Sequence, residues 1–427
     1  MLFNLPGYRV LDAVDVPEGG RQVLVEPVDP VGYCPDCGFD STRVHARPVS
    51  RVADVPIAGR LEVRVRKRRL CCDNPTCARV TFTQITDQIG LRARITTRLA
   101  EHVISALAGE ARSVSALVCE VGISWPTVMR LVRATVTAVH DPDQVRVQRL
   151  GVDEHRFRSI RFVKLGDGST VKLDPWSIVF TDLDTGAVLD VIDGRRGFAV
   201  RWWLNQRPAC WRDRLAVVAI DMSAEFRAAV RDALPGVPIV ADHWHVATRA
   251  NQMVTAVRRR RSWDLHGRRG RIVDPAWKYR KLLTVKGANL SVAQRARLDQ
   301  LLAADPELAV VWAIKEIVVQ LLATRTVAAF DAEWARLQTA VRASTLPEPK
   351  ALLRTLTGWK TEIRTFCLTR VTNARTEAAN TSIKQIKRTG RGYRNPAHYQ
   401  GRILLRSARR TRRRRTLIQQ ATTLNCG

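Results

Sequence analysis

Three acidic residues stand in sequence contexts that suit catalysis. Asp153 follows the apolar pair in GVD and Asp221 closes the run LAVVAID, whereas Glu377 lies in the helical pattern NARTEAANTSIKQIKR. Carboxylates at strand ends, joined by one from a helix, can hold two magnesium ions, for which manganese can substitute. Such a pair of ions supports phosphodiester cleavage. The three acids therefore predict a metal-dependent nuclease or DNA transferase whose site only folding could assemble.

A histidine near the last predicted strand is a fourth catalytic candidate. Asp242 ends the segment PIVAD, and His245 falls on the first turn of the expected next helix. An imidazole in that place could orient a water, contact the scissile phosphate or act as acid or base. Two alternatives stay open, namely a helix cap with a core histidine and a catalytic zinc held by His243, His245 and Asp242.

Two cysteine pairs predict a structural zinc site near the start of the chain. Cys34 and Cys37 flank Pro-Asp, and Cys72 and Cys77 flank Asp-Asn-Pro-Thr, so each pair suits a tight turn that aims two thiolates at one point. Four thiolates make a closed tetrahedral Zn²⁺ site, which is structural and not catalytic. The alternative is a set of unligated thiols. Between the adjacent Cys71 and Cys72 we favour Cys72, because its spacing leaves Asn-Pro at the turn.

The charge of the chain favours a polyanionic partner. Among 427 residues, Lys and Arg number 70 against 40 acids, which gives a net charge of +30. Such an excess attracts nucleic acid and releases counterions when the protein binds it. A GC-rich genome could explain the preference for Arg over Lys but not the sign of the charge. A membrane surface is the weaker alternative, since the chain shows no apolar run of about 20 residues and no signal-peptide pattern. These features predict a cytoplasmic protein with reduced cysteines.

Residues 91–147 have the pattern of a helix-turn-helix. Apolar side chains recur at helical spacing in residues 114–121, Gly122 interrupts the pattern, and Ser124 can cap a second helix. The second helix of such a motif can enter the major groove of DNA. An ordinary helical hairpin is the alternative. The residues expected to face DNA are Trp125, Thr127 and Arg130.

From residue 148 the pattern becomes strand-rich. A strand, a hairpin closed by Asp-Thr-Gly, a helix, and then strand, helix and short strand follow one another as far as residue 245. This order predicts a multidomain α/β protein with a ribonuclease H-like core, which is split where the strand pattern gives way to helices. The expected domains are 1–90 (zinc-binding), 91–147 (helix-turn-helix), 148–245 (first part of the core), 246–372 (helical insertion), 373–408 (second part of the core with the Glu377 helix) and 409–427 (basic tail).

Further basic residues are candidates for contact with DNA phosphates. Arg-rich clusters begin the predicted insertion, and lysines follow Glu377 along its helix. Such clusters could form a solvated face, but their density favours phosphate contact. The candidates are Arg258, Arg259, Arg260, Arg261, Lys384, Lys387 and Arg388.

Taken together, these motifs resemble a known family. The chain is similar, nearly from end to end, to the transposases of the ISL-three insertion sequences, a branch of the bacterial DDE transposases. The resemblance lies in the segments CPDCG, CCDNPTC, ALVCEVGISWPTVMRLV, GVDE, AIDMSAEFRAAVRDALPGVPIVADHWHV and NARTEAANTSIKQIKRTGRGYRNPAHYQGR. Two features depart from the family pattern: the segment 158–176 is longer than the usual link between first strand and hairpin, and Cys71 is extra.

The resemblance implies both an activity and a set of site residues. Asp153, Asp221 and Glu377 would form the catalytic triad, and Asp242 and His245 match an Asp-x-x-His of related transposases. Such an enzyme binds double-stranded DNA at terminal inverted repeats, cuts it and joins the freed 3′-hydroxyls to target DNA. It would work as a homodimer or higher homo-oligomer at the bacterial nucleoid. A catalytically inactive DNA-binding regulator and a nuclease that recognises DNA by shape are the competing interpretations.

Overall fold

The computed structural model describes residues 3–16, 20–57, 60–109 and 112–409. Apart from Arg409, the predicted basic tail lies outside the described residues. The chain divides into two compact units, which are Met1–His140 with Ser382–Gly427, and Asp141–Thr381. The boundaries of the six domains expected from the sequence stay a prediction.

The strands of the first unit form one larger sheet and two small ones. They are β1 (Tyr8–Val16), β2 (Gly20–Pro27), β3 (Gly32–Tyr33), β4 (Asp40–Ser41), β5 (Val44–Ala46), β6 (Val49–Ala53), β7 (Arg60–Arg66), β8 (Arg69–Cys71) and β9 (Thr81–Thr83). The larger sheet has the order β1-β2-β7-β6, β3 pairs with β4, and β8 lies between β5 and β9. In β7, Val63 and Val65 are buried while Arg64 is exposed, so the alternation of apolar and basic residues marks the two faces of the strand.

Three helices follow in the same unit: α1 (Thr97–Gly109), α2 (Val114–Val121) and α3 (Trp125–Val139). Ser113 and Ser124 cap α2 and α3 through their side chains, and Gly122 takes the left-handed conformation between them with φ 71°. Leu117, Val128 and Val132 are fully buried in the core of these helices. The helix, glycine turn and helix therefore form where the periodicity predicts them. Residues 396–409 are also helical.

No single helix in the described part of the chain is both long and apolar enough to cross a membrane. One bent pair, Val114–Val121 with Trp125–Gln144, meets the requirement by length and composition alone.

The second unit contains a five-stranded mixed sheet. The strands of the sheet are β10 (Arg149–Arg156), β13 (Trp176–Asp182), β14 (Val188–Asp193), β15 (Val217–Ile220) and β16 (Ile239–Ala241), and β11 (Arg161–Lys164) and β12 (Thr170–Leu173) lie outside it. The sheet has the order β14-β13-β10-β15-β16, in which β10, β15 and β16 are parallel and β13 is antiparallel to both of its neighbours. The separate hairpin β11–β12 accounts for the long segment that departs from the family pattern, and all its strand residues are exposed.

Eleven helices belong to this unit in whole or in part. They are α4 (Gly197–Asn205), α5 (Ala209–Arg212), α6 (Ala224–Ala233), α7 (His243–His266), α8 (Pro275–Lys278), α9 (Val292–Ala304), α10 (Pro306–Ala323), α11 (Val327–Ala343), α12 (Pro347–Thr357), α13 (Lys360–Thr369) and α14 (Ala374–Thr389). Residues 243–372, all of which the structure describes, contain no strand, as the sequence predicts. One hydrophobic core runs from the sheet into these helices, with α10 contributing Val311, Val318 and Leu321.

Gly151, in the middle of β10, allows the start of α14 to lie close to the sheet. A Cβ at this position would be 2.2 Å from Thr376 Oγ1 and 2.7 Å from Asn373 Oδ1, and both side chains are fully buried. We expect Gly151→Ala to lower the free energy of unfolding by about 1–3 kcal/mol through overpacking, measured by urea denaturation. Gly166→Ala is the matched control, because nothing lies within 4 Å of its Cβ. If Gly151→Ala and Gly166→Ala changed the free energy of unfolding equally, the close approach of α14 to Gly151 would not be what destabilises Gly151→Ala.

Candidate active site and zinc site

The register of the parallel strands places three acids in one row. Val152 of β10 pairs with Ile220 of β15, which in turn pairs with Ala241 of β16. The next residue along each strand direction is Asp153, Asp221 or Asp242. Asp221 and Asp242 directly follow β15 and β16, whereas Asp153 lies inside β10, three residues before its end, and not at a strand end as predicted. The three acids still share one row near the carboxyl ends of the parallel strands, where ligands bind in open α/β sheets.

Asp153 is held by hydrogen bonds and by a neighbouring charge. Its Oδ2 accepts from Asn380 Nδ2 at 2.5 Å, and its Oδ1 accepts from the Glu154 backbone N–H at 2.8 Å. Burial, followed by the negative charge of Asp221, raises the pKa of Asp153 to about 7. A bound cation would relieve this repulsion, so the environment of Asp153 is suited to a positive charge.

His245 lies against the second acid of the row. Its Nε2 is 3.0 Å from Asp221 Oδ2, and both side chains are partly exposed. The ring lies on the first turn of α7, where the sequence predicts it. The hydrogen bond with Asp221 raises the pKa of His245, and the charges of Asp242 and Asp153 act in the same direction.

Glu377 reaches the cluster from the first turn of α14. One ligand atom each from Asp242, His245 and Glu377 lies within 4.8 Å of the other two. Among the described residues, the predicted trio of Asp153, Asp221 and Glu377 does not bring one ligand atom each within 4.8 Å of the other two. Burial, then the charge of Asp242, raises the pKa of Glu377. The described part of the chain thus gathers four carboxylates and one imidazole into a single cluster.

Asp242 is the most buried of the four acids, with an exposed fraction of 2%. Its Oδ2 accepts from the Trp244 backbone N–H at 3.3 Å and caps α7, and its Oδ1 accepts from the Asn373 N–H at 3.2 Å. Burial acts to raise the pKa of Asp242, but His243, whose Nδ1 lies 3.4 Å from Oδ1, and the hydrogen bond from the Asn373 N–H outweigh it and hold the pKa below its ordinary value. The helix-cap interpretation is therefore correct for Asp242, although the carboxylate also borders the site.

The ion pair of His245 with Asp221 predicts a pH dependence of stability. Since the folded-state pKa of His245 is raised above 6.5, the pair stabilises the protein fully below that pH, and this contribution is lost as pH rises through the folded pKa. We expect His245→Gln to lower the Tm more at about pH 6 than at about pH 8.5, in buffer without divalent cations. In a protein that already carries Asp221→Asn, His245→Gln should lower the Tm by the same amount at both pH values. An equal loss at both pH values would contradict the pairing.

The four predicted zinc ligands converge in the first unit. Cys34 Sγ lies 3.9 Å from Cys77 Sγ, and Cys37 Sγ lies 3.6 Å from Cys72 Sγ. Two thiolates on a tetrahedral zinc, at about 2.3 Å each, are separated by about 3.8 Å, so these distances fit the metal. A hydrogen bond from the backbone of Phe39 heads the causes that lower the pKa of Cys37 to about 7.

Local turns aim the thiols at one point. The N–H of Gly38 donates to the Cys34 carbonyl at 2.8 Å, and Gly38 has φ +73°, which favours glycine. In the second turn, Asn74 Oδ1 accepts from the Thr76 N–H at 3.0 Å, and the Cys77 N–H donates to the Asn74 carbonyl. Cys71 belongs to β8 and lies outside the group of four, which supports the choice of Cys72.

The predicted DNA-facing residues of α3 differ in their exposure. Arg130 is exposed and its Nη2 donates to Thr127 Oγ1 at 3.2 Å, while Thr127 is half-buried. Trp125, which was expected to face outward, is half-buried instead, because it packs on the helical core and meets the His398 ring edge-on at 4.9 Å. Of the three, only Arg130 is exposed, and which of them contacts a base stays a prediction.

The four consecutive arginines of α7 also divide. Arg260 pairs with Glu348 at 2.8 Å and with Glu307 at 2.7 Å. Arg261 pairs with Asp305, Arg258 is buried, and Arg259 is exposed. The ion pairs hold Arg260 and Arg261 against carboxylates of other helices, and contact of any of the four arginines with DNA stays a prediction. On α14, Lys384 and Arg388 are exposed and Lys387 is half-buried.

Sequence reasoning gave no role to two polar residues that the structure brings to the site. Asn380 contacts Asp153, and Asn373 contacts Asp242 and, through Nδ2, the Val152 carbonyl at 3.4 Å. The remaining amide oxygens of both, Asn373 Oδ1 and Asn380 Oδ1, are buried without a hydrogen-bond partner. The only signal in the sequence was the position of Asn380, three residues after Glu377 on one helix.

Comparisons with known proteins agree with the motifs. A model of a transposase family, the ISL3 type of DDE transposases (ISL-three above), matches residues 150–403. The transposase for insertion sequence element IS1001 of Bordetella parapertussis is 28% identical over 410 residues, which cover 92% of this chain and 93% of that protein. A Drosophila P element transposase strand transfer complex covers 73% of this chain and 91% of its own, with 9% identity and a TM-score of 0.38. Because the family model matches more than half of its residues, the chain belongs to the ISL-three family of DDE transposases.

Proposed function

We propose that this transposase recognises the terminal inverted repeats of an insertion sequence, cuts DNA at their boundaries and joins the freed 3′-hydroxyls to target DNA. The observation that carries the proposal is the gathering of Asp153, Asp221, Asp242 and Glu377 with His245 at one edge of the sheet. In the strand order β14-β13-β10-β15-β16, the first two pairs of neighbouring strands are antiparallel and the last two pairs are parallel. This arrangement supports a ribonuclease H-like core.

The donor set of this cluster fits magnesium. Carboxylate oxygens are hard ligands, and magnesium needs only a few of them because it keeps several waters. Asp153, Asp221 and Glu377 would hold two ions, with Asp242 and His245 beside them. When bound, the ions would supply activation of the attacking oxygen and stabilisation of the leaving oxygen.

The surrounding residues would position the catalytic carboxylates. Asn380 and the Glu154 N–H each bind one oxygen of Asp153, which fixes the orientation of that carboxylate. His245 holds Asp221 at 3.0 Å and, with its raised pKa, can carry a proton next to the reacting groups. Such positioning of metal ligands by neighbouring groups typically changes activity by about 10–100-fold when removed.

The first unit would supply recognition of the repeat. The capped start of α3 presents Thr127 and Arg130 and suits insertion into the major groove. A zinc ion on Cys34, Cys37, Cys72 and Cys77 would stabilise the small sheets whose buried core holds little more than Leu70 and Phe82. We further propose that two or more copies act on paired ends, with double-stranded DNA as the partner.

The experiment that tests this function is cleavage of a labelled duplex that carries the repeat flanking the element. With magnesium, we expect cuts at the repeat boundary, no cuts in a scrambled duplex, and no cuts by Asp153→Ala. Tight binding to the repeat without cutting under any divalent ion would favour the inactive regulator. Cutting that ignores the end sequence would favour a nuclease that recognises DNA by shape.

A further inference from the structure

A basic groove lies on α7 beyond the candidate active site. It has a volume of about 940 Å³ and is formed by α7 together with the segment that leads through α8 to Thr284. More than half of the residues that line it are Arg or Lys, and none is Asp or Glu. Among the described residues, Asp274 is the only carboxylate paired with its rim, and it binds Arg268 at 2.8 Å. The groove therefore carries a large uncompensated positive charge.

Arg258 is an unusual member of this groove. Its exposed fraction is only 8%, yet among the described residues no carboxylate or hydrogen-bond acceptor contacts its guanidinium. Its charged neighbours are Arg259 and Arg280, and burial together with their positive charges lowers the pKa of Arg258. Burial beside like charges makes the charged form of Arg258 unfavourable unless an anion lies nearby. An anion that entered the groove would offset this repulsion.

The groove is connected to the carboxylates along one face of α7. Gln252 borders both the cleft of Asp221 and His245 and the next depression along the helix. Thr255 and Arg259 then border both that depression and the basic groove. His245, Gln252 and Arg259 are spaced by seven residues, two turns each, so they share one helix face. At 1.5 Å per residue, this face extends about 21 Å from His245 to Arg259.

We infer that this face of α7 binds the phosphate backbone of the DNA whose scissile bond lies at the carboxylates, and that Arg258, Arg259 and Arg280 contact one phosphate region about 21 Å away. The inference rests on the proposed function, since it needs DNA in the active site. At 3.4 Å per nucleotide, the contacted phosphates lie about six positions from the cut. The groove is distinct from the helix-turn-helix because all its residues belong to the second unit.

Binding of full-length, zinc-loaded protein to the terminal-repeat duplex, measured by fluorescence anisotropy over a range of salt, tests the inference. Arg259→Gln should weaken binding about tenfold and lower the slope of log K against log salt by about one. Arg297→Gln, an exposed arginine on α9 away from the groove, is the matched control and should leave the slope nearly unchanged.

Arg258→Met gives the sharper readout. It should raise the Tm of the DNA-free protein, because it removes a largely buried charge that lies beside Arg259 and Arg280, and it should weaken DNA binding. A structural arginine would show the opposite change in Tm. A scan of single methylphosphonates should find neutral positions about six phosphates from the cut that weaken wild-type binding but not binding by Arg258→Met.

The outcomes separate this inference from the proposed function. If the wild type binds the repeat, and Arg258→Met and Arg259→Gln bind it with the same affinity and the same salt slope, the inference about the groove is wrong. The proposed function would not be affected by that result. Failure of the wild-type protein to bind the repeat would overturn both. If a nucleoside triphosphate or inorganic phosphate raised the Tm of the wild type but not of Arg258→Met, while DNA affinity stayed equal, the groove would serve a free phosphate and not DNA.

Discussion

Replacing Asp221 by Asn is expected to reduce strand cleavage at the terminal repeat by at least about 10³-fold, which corresponds to about 4 kcal/mol of transition-state stabilisation. Asp221 lies between Asp153, whose pKa its charge helps to raise, and His245, which it binds at 3.0 Å. The amide keeps the shape of the side chain but removes a metal-binding charge from the centre of the cluster. Cleavage rates with saturating protein, measured on a labelled duplex, check the prediction.

The same substitution should leave binding to the repeat unchanged or slightly tighter. It removes a negative charge that repels the DNA phosphates, and it leaves the residues of α3 in place. Asp213→Asn is the matched control, because Asp213 is exposed and precedes β15 at the end opposite the cluster. Persistent cleavage by Asp221→Asn would show that the site is assigned to the wrong residues. A loss of both cleavage and binding would point to damage to the fold.

Cys72→Ser should remove the zinc from the first unit, whereas Cys71→Ser should keep it. Cys72 Sγ lies 3.6 Å from Cys37 Sγ within the group of four, and Cys71 is not part of that group. Structural zinc contributes about 10–16 kcal/mol to the folding of zinc-finger peptides. The core of the small sheets around the site consists of Leu70, Phe82 and Cys34. Because this core is so small, the sheets need the bound metal for stability.

Two readouts test this pair of variants. Metal analysis should give about one zinc per chain for wild type and Cys71→Ser and much less for Cys72→Ser. Limited proteolysis should then cut Cys72→Ser first within residues 30–85, because the two turns that carry the thiols are no longer linked by the metal. Equal zinc content in the two variants would show that Cys72 is not a ligand. Equal proteolytic patterns despite zinc loss would show that the metal is not needed for the local fold.

The helix-turn-helix and the succession of strands and helices along residues 148–245 were accessible from the sequence because their signals are local. The stripe of apolar residues in 114–121, Gly122 and the cap at Ser124 act within a few residues of one another. The run from Val217 to Ile220 is fully buried in a central strand, which is why it is continuously apolar. The strands β1 and β2 were not predicted, since most residues of β1 are exposed and its pattern of burial is irregular.

The contacts of the candidate site depended on pairing between distant segments. The sequence marked Asp153, Asp221 and Glu377, but only the parallel register of β10, β15 and β16 adds Asp242 to the same row. Asn380 reaches Asp153 only because Gly151 lets α14 lie close to β10. In the same way, four consecutive arginines looked equivalent until carboxylates from other helices bound Arg260 and Arg261.

By itself, the sequence determined the chemistry available to this protein: carboxylates at strand ends, cysteines on tight turns, capped helices and a net charge of +30. Those features follow from turn geometry and from the periods of helices and strands, which act over a few residues. Tertiary structure alone decided which charges are neutralised, which acid meets His245 and which arginine is buried beside other arginines. These outcomes depend on register and packing between segments that are far apart in the chain. The periodicity of a single helix or strand carries no information about such contacts.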